Sequence, residues 1–397
     1  MDFRLTEEQK MLQNEVRTFA LREIYPHRER LRKKEFPRDI FQKMVEAGYA
    51  GAVIPQEYGG AGLDNLSYAL LTMELCRADA GIGLSIGASQ SLVAKPISMF
   101  GSEEQKRLWL PRIASGEVIA AYAQTEPNAG SDVASIRATS RVIGDGTLTI
   151  NGEKQFITNG SIAGLILALV RTDEYDLKHP RKNLAMVLVD AQKALAEGTL
   201  KVTKDFDKMG LHCSPTSSLF FDNCAVPESS ILGDIGQGFF IAMATLTGSR
   251  PMIAAQSVGV AKAAFDEALR YTLERKQFGQ RIADFQLTQS KLARMAMKIE
   301  AAELLTYQAA WIIDNVNEFF PDAIMAKASK AKLFASEAAE EIASVAAKLH
   351  GGMGFMTETP ISWILADSRV LSTYEGTSDI QELIIAREFL RPHGVRI

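Results

Sequence analysis

The feature that most constrains this fold is a hydrophobic period that changes twice along the chain. Apolar residues recur at helical spacing at first, short β-type runs follow, and helical spacing then returns and persists. A chain of 397 residues exceeds the usual size of a single core, so two or three domains are expected. The pattern predicts a mainly α protein with a central β-domain, divided into an N-terminal helical domain (1–116), a β-sheet or barrel domain (117–231) and a C-terminal four-helix bundle (232–397).

The C-terminal region contains the longest helical patterns. They span about 252–273, 286–317 and 322–349, and alanines are frequent in all three. Small side chains let helices approach closely, which favours an antiparallel bundle. Pro251 precedes the first pattern, so it is expected in a first helical turn, where its missing N–H needs no partner.

Turn dipeptides and short apolar runs predict the central β-domain. Asp145-Gly146 and Asn151-Gly152 both favour hairpin turns, and they flank the run 147–150. The uninterrupted apolar runs 165–170 and 186–189 are typical of buried strands. Because helices do not alternate with these strands, a small β-domain is expected and a doubly wound sheet is not.

Composition excludes several classes of function. A net charge of -4 leaves no basic excess for nucleic acid. Cys76, Cys213 and Cys224 are too few and too scattered for a disulfide framework or a metal site, which suits a reducing compartment. The apolar run 165–170 is too short to cross a bilayer, and the N-terminus lacks a secretory pattern. No membrane span is therefore expected, and a cytoplasmic location is the default.

Five short motifs carry the functional signal. They are YAQTEPNAGSD (122–132), FITNG (156–160), ERKQFG (274–279), HGGMGF (350–355) and STYEGTSDIQ (372–381). In this order and spacing, over almost the whole chain, the motifs resemble the acyl-CoA dehydrogenase family of flavoenzymes. The resemblance implies FAD as cofactor, an acyl-CoA substrate, an electron transfer flavoprotein as electron acceptor, and a homotetramer.

Glu375 is the candidate catalytic residue. A carboxylate between Tyr374 and Gly376 can be shielded from water, and burial would make it a stronger proton acceptor. Taken alone, this segment would favour a surface turn with a solvated glutamate. The resemblance implies that Glu375 removes the α-proton of the acyl thioester while the β-hydrogen leaves as a hydride to flavin N5. Some family members place the base just before the position of Arg250, but Ser249 stands there and cannot serve as a base.

The same resemblance assigns substrate and flavin contacts. The residues expected to contact substrate are Ser131, Arg250, Tyr374 and Gly376. Those expected to contact FAD near its ring and ribityl chain are Tyr122, Gln124, Thr125, Gly130, Ser131, Phe156, Ile157, Thr158, Thr377 and Ser378. By pattern alone, the run from Tyr122 to Ser131 could also be a β-loop that binds no ligand.

A second set of cofactor residues lies near the ends of the long helical patterns. On the resemblance, Arg275 grips the pyrophosphate of the FAD on a neighbouring subunit. Its expected companions are Gln277, Phe278, Gln286, Leu287, Lys348, Gly351 and Gly352. An arginine at a helix C-terminus is also favoured for capping, so that alternative stays open. The glycine run is not a Rossmann fingerprint, because a helical pattern and not a strand precedes it.

The sequence departs from the family pattern at three positions. Phe156 stands where a tryptophan is common, so the aromatic face is kept and the indole N–H is lost. Lys348 replaces a usual glutamine and can still pair with a phosphate. His212 stands where an arginine is usual, and it is expected to be a loop residue.

The acyl pocket is expected to be lined partly by the helix over 86–94, which is rich in small side chains. Small residues leave volume for a bulky, branched, cyclic or aromatic acyl group, although close helix packing explains them equally well. Gly83 replaces the arginine with which glutaryl-type enzymes bind a distal carboxylate. The alternatives are a medium- or short-chain straight acyl-CoA dehydrogenase, or an oxidase or enoyl-CoA reductase on the same scaffold. A non-enzymatic flavoprotein or CoA-binding scaffold is disfavoured, because it would need no Glu375.

Overall fold

Seven α-helices form the N-terminal part of the computed structural model, which describes residues 4–144, 146–172 and 178–395. They are α1 (Glu7–Phe19), α2 (Arg28–Leu31), α3 (Arg38–Glu46), α4 (Asn65–Ala78), α5 (Ala80–Ser89), α6 (Lys95–Phe100) and α7 (Glu103–Ala114). The first helix begins with a capping box, in which the Thr6 hydroxyl accepts from the N–H of Gln9 at 3.2 Å. A π-helical turn, Gln90–Ala94, links α5 to α6.

The middle of the described chain forms one eight-stranded mixed sheet. Its strands are β1 (Ala120–Ala123), β2 (Thr139–Gly144), β3 (Thr147–Thr158), β4 (Leu165–Arg171), β5 (Leu184–Asp190), β6 (Leu200–Val202), β7 (Thr216–Pro227) and β8 (Ile231–Leu232), with the short helix α8 (Ala191–Ala196) after β5. The strand order is β6-β7-β3-β2-β4-β5-β8, and β1 pairs with β4 in parallel. Every residue of β4 is buried, which explains why this strand has no alternating polar positions.

The hairpin predicted at Asn151-Gly152 is wrong. Both residues lie inside β3, where the pairing with β7 shifts register between Ile150 and Gly152. Gly152 has φ 138°, and a Cβ there would lie 2.7 Å from Ala138 Cα, so only glycine allows this bulge. The other turn was predicted at Asp145-Gly146. Gly146 lies between the antiparallel strands β2 and β3, and Asp145 lies outside the described residues.

Long helices return after the sheet and form the C-terminal bundle. They are α9 (Gly238–Glu274), α10 (Gln286–Asp314), α11 (Pro321–Leu349), α12 (Pro360–Ser368) and α13 (Ser378–Leu390), with a small hairpin, β9 (Lys276–Gln277) and β10 (Gln280–Arg281), after α9. Helix α11 packs against α9, α10, α12 and α13. The predicted fold class, mainly α with a central sheet and a C-terminal bundle, is confirmed. The elements change type after α7 and again after β8, but the three domain boundaries stay a prediction.

The first-turn position predicted for Pro251 is wrong. Helix α9 begins 13 residues earlier, at Gly238, and continues through the proline. Proline removes one i to i−4 hydrogen bond from a helix, which weakens the helix backbone beside Ser249 and Arg250. Packing compensates, because Pro251 and the residues around it are buried.

Close contact between α9 and α11 aligns the elements that carry the candidate site. Their facing positions are fully or almost fully buried alanines, among them Ala261, Ala264, Ala268, Ala339, Ala343 and Ala346. Such small residues let the two backbones approach. In the part of the chain that the structure describes, no helix is long and apolar enough to span a membrane.

Candidate active site

Glu375 occupies a strained turn between α12 and α13. Its φ is 53°, in the left-handed region, and Gly376 follows with φ 99°. A non-glycine residue in this region costs about 1–3 kcal/mol, so surrounding contacts must hold it there. The Gln381 amide donates to the carbonyls of Glu375 (3.2 Å) and Gly376 (3.0 Å), and Lys332 Nζ donates to the Gly376 carbonyl at 2.8 Å. These bonds fix the direction of the carboxylate.

The Glu375 carboxylate is half-buried and accepts a hydrogen bond from the Ser249 hydroxyl. Burial raises the pKa of Glu375 to about 7, against the opposing effects of the Ser249 bond and of Lys332 and Arg250. A carboxyl with this pKa changes protonation near neutral pH, as a general base does. Ser249 is not a base here, but it contacts the base directly.

Two buried cations flank the carboxylate. Arg250 is 4% exposed, and its Nε and Nη1 have no hydrogen-bond partner among the residues described. Burial lowers its pKa to about 10, which the charge of Glu375 opposes. Lys332 is 0% exposed, and burial lowers its pKa to about 8. Sequence reasoning missed Lys332. The available signal was its phase on α11, where it falls in line with the buried Ala328 and Ala335.

Two tyrosines border the same site. The Tyr374 hydroxyl donates to Gln256 Oε1, and the Tyr122 hydroxyl donates to Gln124 Oε1 at 2.7 Å. Burial raises the pKa of Tyr122, and the negative charge of Glu375 raises it further. The Tyr122 side chain, on β1, therefore lies within electrostatic range of the Glu375 carboxylate.

The structure brings the two predicted flavin-contacting runs together. The Gln155 N–H donates to the Thr125 carbonyl at 2.8 Å, and Lys154 Nζ donates to the Gln124 carbonyl at 3.2 Å. The segment after β1 therefore lies beside the end of β3. Phe156 has φ 59° and a 59% exposed side chain, so its ring is presented at this edge.

Predicted flavin residues differ in what they can offer a ligand. Ile157 is 2% exposed, so its side chain belongs to the core and only its backbone can contact a ligand. Gly130 and Ser131 are exposed, whereas Thr158 is half-buried. Ser378, at the start of α13, has a buried hydroxyl with no partner in the described part of the chain.

Thr377 acts differently from its neighbour. Its side chain accepts from the N–H of Ile380 at 3.4 Å and caps the N-terminus of α13. This cap fixes the end of the Glu375 turn, so the role of Thr377 is at least partly structural.

The remaining cofactor residues form a separate group, which we call the distal patch. It consists of Arg275, Gln277, Phe278, Gln286, Leu287, Lys348, Gly351 and Gly352. Stacking of the Tyr271 and His350 rings, with centroids 4.3 Å apart, holds the end of α9 beside the end of α11. The glycine run follows a helix, as predicted, so the Rossmann fingerprint stays excluded.

The distal patch is far from Glu375 and open to solvent. Arg275 lies 25 residues beyond Arg250 along α9, which at 1.5 Å per residue is roughly 37 Å. Phe278 is 93% exposed and Leu287 is 78% exposed. Arg275 directly follows the last residue of α9, where its N–H donates to Tyr271 at 2.8 Å. The structure therefore divides the predicted cofactor residues between two places.

The structure also shows where His212 lies, one of the positions that depart from the family pattern, and how the helix expected to line the acyl pocket is packed. His212 lies in a turn between β6 and β7, and burial lowers its pKa. At Gly83, a Cβ would lie 2.1 Å from Cys76 Sγ, so close packing excludes any side chain there. Gly87 has no such contact, because the only atom near its Cβ position is Tyr68 Oη at 4.0 Å. The two glycines therefore differ: packing against Cys76 requires a glycine at position 83, whereas no close contact requires one at position 87.

A buried ion pair should support the loop that follows β1. Lys154 (0% exposed) contacts Glu126 (8% exposed) at 2.7 Å, and Glu126 also accepts from the N–H groups of Arg137 (2.7 Å) and Ala138 (2.9 Å). Because it leaves a buried carboxylate uncompensated, Lys154→Met should lower the free energy of unfolding by about 3–5 kcal/mol. Adding Glu126→Gln should recover part of that loss. Denaturant titration measures both, and a loss below about 1 kcal/mol for the single variant contradicts the assignment.

Because its pKa is raised, Glu375 should lower the free energy of unfolding at high pH. Its folded-state pKa of about 7 exceeds the ordinary 4.5, so its stabilising contribution is complete below 4.5 and is lost as pH rises through 7. Glu375→Gln should therefore be more stable than wild type at pH 8, by on the order of 1–3 kcal/mol, with a smaller gain at pH 5. Thermal unfolding at both pH values tests this, and an equal gain at both would contradict it.

Comparisons with known proteins decide the family. Models described as the acyl-CoA dehydrogenase N-terminal, middle and C-terminal domains match residues 6–117, 121–224 and 236–390. The chain belongs to the acyl-CoA dehydrogenase family. The resemblance inferred from the five motifs is confirmed, and the relatives and structural neighbours are oxidoreductases of this class.

Two relatives show the range of activities among similar members of the acyl-CoA dehydrogenase family. A probable acyl-CoA dehydrogenase of Bacillus subtilis is 41% identical over 392 residues, which cover 98% of this chain and 100% of the relative. A 3-(aryl)acrylate reductase of Clostridium sporogenes is 39% identical over 387 residues, covering 97% of this chain and 99% of the relative.

Solved structures match almost the whole length of this chain. Butyryl-CoA dehydrogenase of Megasphaera elsdenii has a TM-score of 0.93 at 35% identity, covering 98% of this chain and 100% of that chain. A structure named for the electron transferring flavoprotein of Acidaminococcus fermentans has a TM-score of 0.92 at 38% identity, with the same coverage. An acyl-CoA dehydrogenase of Bacillus anthracis, complexed with FAD, has a TM-score of 0.90 at 34% identity, covering 98% of this chain and 68% of that chain.

Proposed function

We propose that this chain is an FAD-dependent acyl-CoA dehydrogenase that introduces an α,β double bond into an acyl-CoA thioester, with Glu375 as the catalytic base. The observation that carries this proposal is the carboxylate of Glu375, held in a strained turn with a pKa of about 7. A solvated surface turn would not need the hydrogen bonds that hold this one, and a non-enzymatic scaffold would not need a catalytic base.

The residues at the site fit FAD. The edge formed after β1 and β3 exposes the ring of Phe156 and the backbone of Gly130. Ser378 supplies a buried hydroxyl that has no protein partner in the described residues. We assign the polar contacts to Gln124, Thr125 and Thr158, with Tyr122 and Ile157 contributing backbone and Thr377 positioning the turn.

The chain's own residues act on the proton. The thioester carbonyl acidifies the α-hydrogen, and the Glu375 carboxylate removes it as a proton. FAD, when bound, would supply the hydride acceptor for the β-hydrogen, which would balance the two-electron oxidation. The N–H of Glu375 is proposed to donate to the thioester oxygen, as in an oxyanion hole, and the left-handed Gly376 leaves room for the substrate. Arg250 contributes a buried positive charge beside the developing negative charge.

The acyl group remains a choice between two proposals. The lack of a tight contact at Gly87, where a Cβ would lie 4.0 Å from Tyr68 Oη, favours a bulky, branched, cyclic or aromatic group, and the aryl-acrylate reductase relative is consistent with it. A short or medium straight chain is the second candidate, favoured by the likeness to butyryl-CoA dehydrogenase. Reactivity of the reduced flavin with oxygen separates a dehydrogenase from an oxidase, and reduction of enoyl thioesters would indicate a reductase.

The exposed distal patch supports a homotetramer. Arg275 lies roughly 37 Å from Arg250 along α9, so we propose that it binds the pyrophosphate of the FAD on a neighbouring subunit. An electron transfer flavoprotein is the proposed acceptor, consistent with the Acidaminococcus neighbour. Three free, buried cysteines suit the reducing conditions of a cytoplasmic location.

Arg275→Ala should release FAD and weaken the oligomer, because it removes a charged phosphate ligand at the subunit boundary. We expect at least a tenfold lower FAD affinity, since hydrogen bonds to charged groups contribute about 1.5–3 kcal/mol. Arg281→Ala is the matched control, since Arg281 lies in the hairpin that directly follows Arg275 but pairs with Asp284 at 2.9 Å. Light scattering and flavin absorbance measure both, and an unchanged FAD-loaded tetramer would count against the role.

Anaerobic mixing of the FAD-loaded protein with CoA thioesters tests the proposed function directly. A panel of straight, branched, cyclic and aromatic thioesters should contain at least one that bleaches the flavin absorbance and yields the enoyl-CoA. If no saturated thioester in the panel bleaches the flavin, the proposal is wrong.

A further inference from the structure

A fully buried serine on α9 contacts the carboxylate of the proposed base. Ser249 is 0% exposed, and its hydroxyl lies beside two acceptors, which are Oε2 of Glu375 and the carbonyl of Leu246, the latter at 3.1 Å. A serine hydroxyl carries a single hydrogen, so it can donate fully to only one acceptor at a time. The carboxylate and the helix carbonyl therefore compete for that hydrogen.

The charge of Glu375 decides this competition. A hydrogen bond to an ionised carboxylate is roughly twice as strong as one between neutral groups, so the hydroxyl donates to Glu375 when that residue is ionised. A protonated carboxyl is a weaker acceptor, and the Leu246 carbonyl can then take the hydrogen instead. The buried hydroxyl thus keeps a partner in both protonation states and avoids the cost of an unpaired polar group.

Ser249 occupies only one of the two carboxylate oxygens. Among the described residues, the hydrogen bond to the Glu375 side chain runs from Ser249 to Oε2, and Oε1 has no protein donor. Lys332 and Arg250 lower the pKa of Glu375 through their charge and not through a hydrogen bond to it. A general base needs a free lone pair for the proton that it removes, and Oε1 supplies one.

Several other ionisable groups face Glu375 from the elements packed around it. They are Arg250 on α9, Lys332 on α11, Tyr68 on α4, Tyr122 on β1 and the adjacent Tyr374. Burial raises the pKa of each tyrosine, so all three are neutral near pH 7. The pKa of Arg250 is about 10 and that of Lys332 about 8, so both are charged below pH 7. Titration below pH 7 at this site therefore belongs to Glu375.

We propose that Ser249 is a positioning residue for the base: its hydroxyl holds Oε2 of ionised Glu375, which leaves Oε1 for the α-hydrogen, and turns to the Leu246 carbonyl once the proton has been taken. This inference rests on the proposed function, in which Glu375 is the base. The α-proton passes from the substrate carbon to Oε1, whereas Ser249 keeps its own hydrogen and only reorients it. Loss of the hydroxyl should therefore favour the protonated form of the base.

Ser249→Ala in the FAD-loaded enzyme tests this role. The fall in kcat/KM with decreasing pH should begin about one pH unit higher than in wild type, because a hydrogen bond to the ionised form is lost. At pH 6 this corresponds to about a tenfold lower kcat/KM, and the difference should narrow at high pH, where both proteins are ionised. Ser249→Thr keeps the hydroxyl and should restore the profile. A loss of the same size at every pH would indicate a purely structural role and overturn the proposal.

Ser257→Ala is the matched control. Ser257 is also 0% exposed on α9 and donates to the Ile253 carbonyl at 2.7 Å, but it lies eight residues further on, about 12 Å along the helix. Its loss should leave the pH profile unchanged. FAD content and thermal unfolding show whether each variant is intact. If Ser249→Ala does not fold, Ser249→Val and Ser249→Thr provide the same comparison, since they have nearly the same shape and differ in the hydroxyl.

Infrared absorption of the Glu375 carboxyl measures the same effect without substrate. The band is assigned by its absence in Glu375→Gln, and its pH midpoint should be higher in Ser249→Ala than in wild type. An unchanged midpoint overturns the proposal. Failure of the proposed function looks different, since no saturated thioester would then reduce the wild-type flavin, whatever the midpoint of Ser249→Ala.

Discussion

Glu375→Gln is expected to abolish most flavin reduction by acyl-CoA while leaving bound FAD in place. The amide has nearly the same shape and can still accept from the Ser249 hydroxyl, but it cannot take a proton. A positioned general base contributes about 10²–10⁴-fold, so the rate of flavin bleaching should fall by that factor. Stopped-flow absorbance under anaerobic conditions measures it.

The matched control for this change is Glu382→Gln, seven residues further on, where an exposed glutamate lies on α13. It alters the same chemical group without touching the turn and should bleach at the wild-type rate. If Glu375→Gln also bleached at the wild-type rate, the base would have to be another residue. If it lost FAD, the carboxylate would be holding the cofactor site together.

Lys332→Met is expected to slow the reaction at neutral pH and to shift its pH dependence. The lysine donates to the Gly376 carbonyl at 2.8 Å, and its charge lowers the pKa of Glu375. Removing it raises that pKa above about 7, so less of the base is ionised at pH 7. A rise of one unit corresponds to about a tenfold loss well below the pKa.

The pH dependence of kcat/KM measures the effect of Lys332 on the pKa of Glu375. In wild type, kcat/KM should fall as pH drops through about 7, and the variant's fall should begin at higher pH. The difference should diminish above pH 8, because the pKa of Lys332 is itself lowered to about 8 and its charge is then lost. Lys327→Met, five residues earlier on α11 and directed at Gln308 (3.4 Å), is the control. A rate loss that is the same at every pH would indicate a purely structural role.

The fold could be predicted from sequence where one signal dominates. Alanine-rich periodicity predicted helices over 286–317 and 322–349, and the structure has α10 and α11 over nearly the same residues. Local turn chemistry was less reliable. Asn151-Gly152 has a hairpin composition, but pairing with β7 continues through it, and Gly152 serves a bulge instead. Pro251 was placed at a helix start because tertiary packing of α9 cannot be foreseen from its sequence.

The candidate site shows the same limit. Motifs identified Glu375, but no pattern indicates that Gln381 and Lys332 hold its turn, since those contacts join separate helices. Residue identity predicts which chemistry is available, whereas burial and partners depend on contacts between distant segments.

Proton exchange in D₂O tests most directly whether Glu375 is the base. A 3-thiaacyl-CoA has sulfur in place of the β-carbon, so it cannot lose a β-hydride and isolates the α-proton step. Wild-type enzyme loaded with FAD should exchange the α-hydrogens of this thioester for deuterium, detectable by mass spectrometry. The Glu375→Gln enzyme, with equal FAD, should not. Equal exchange by both proteins would contradict the account.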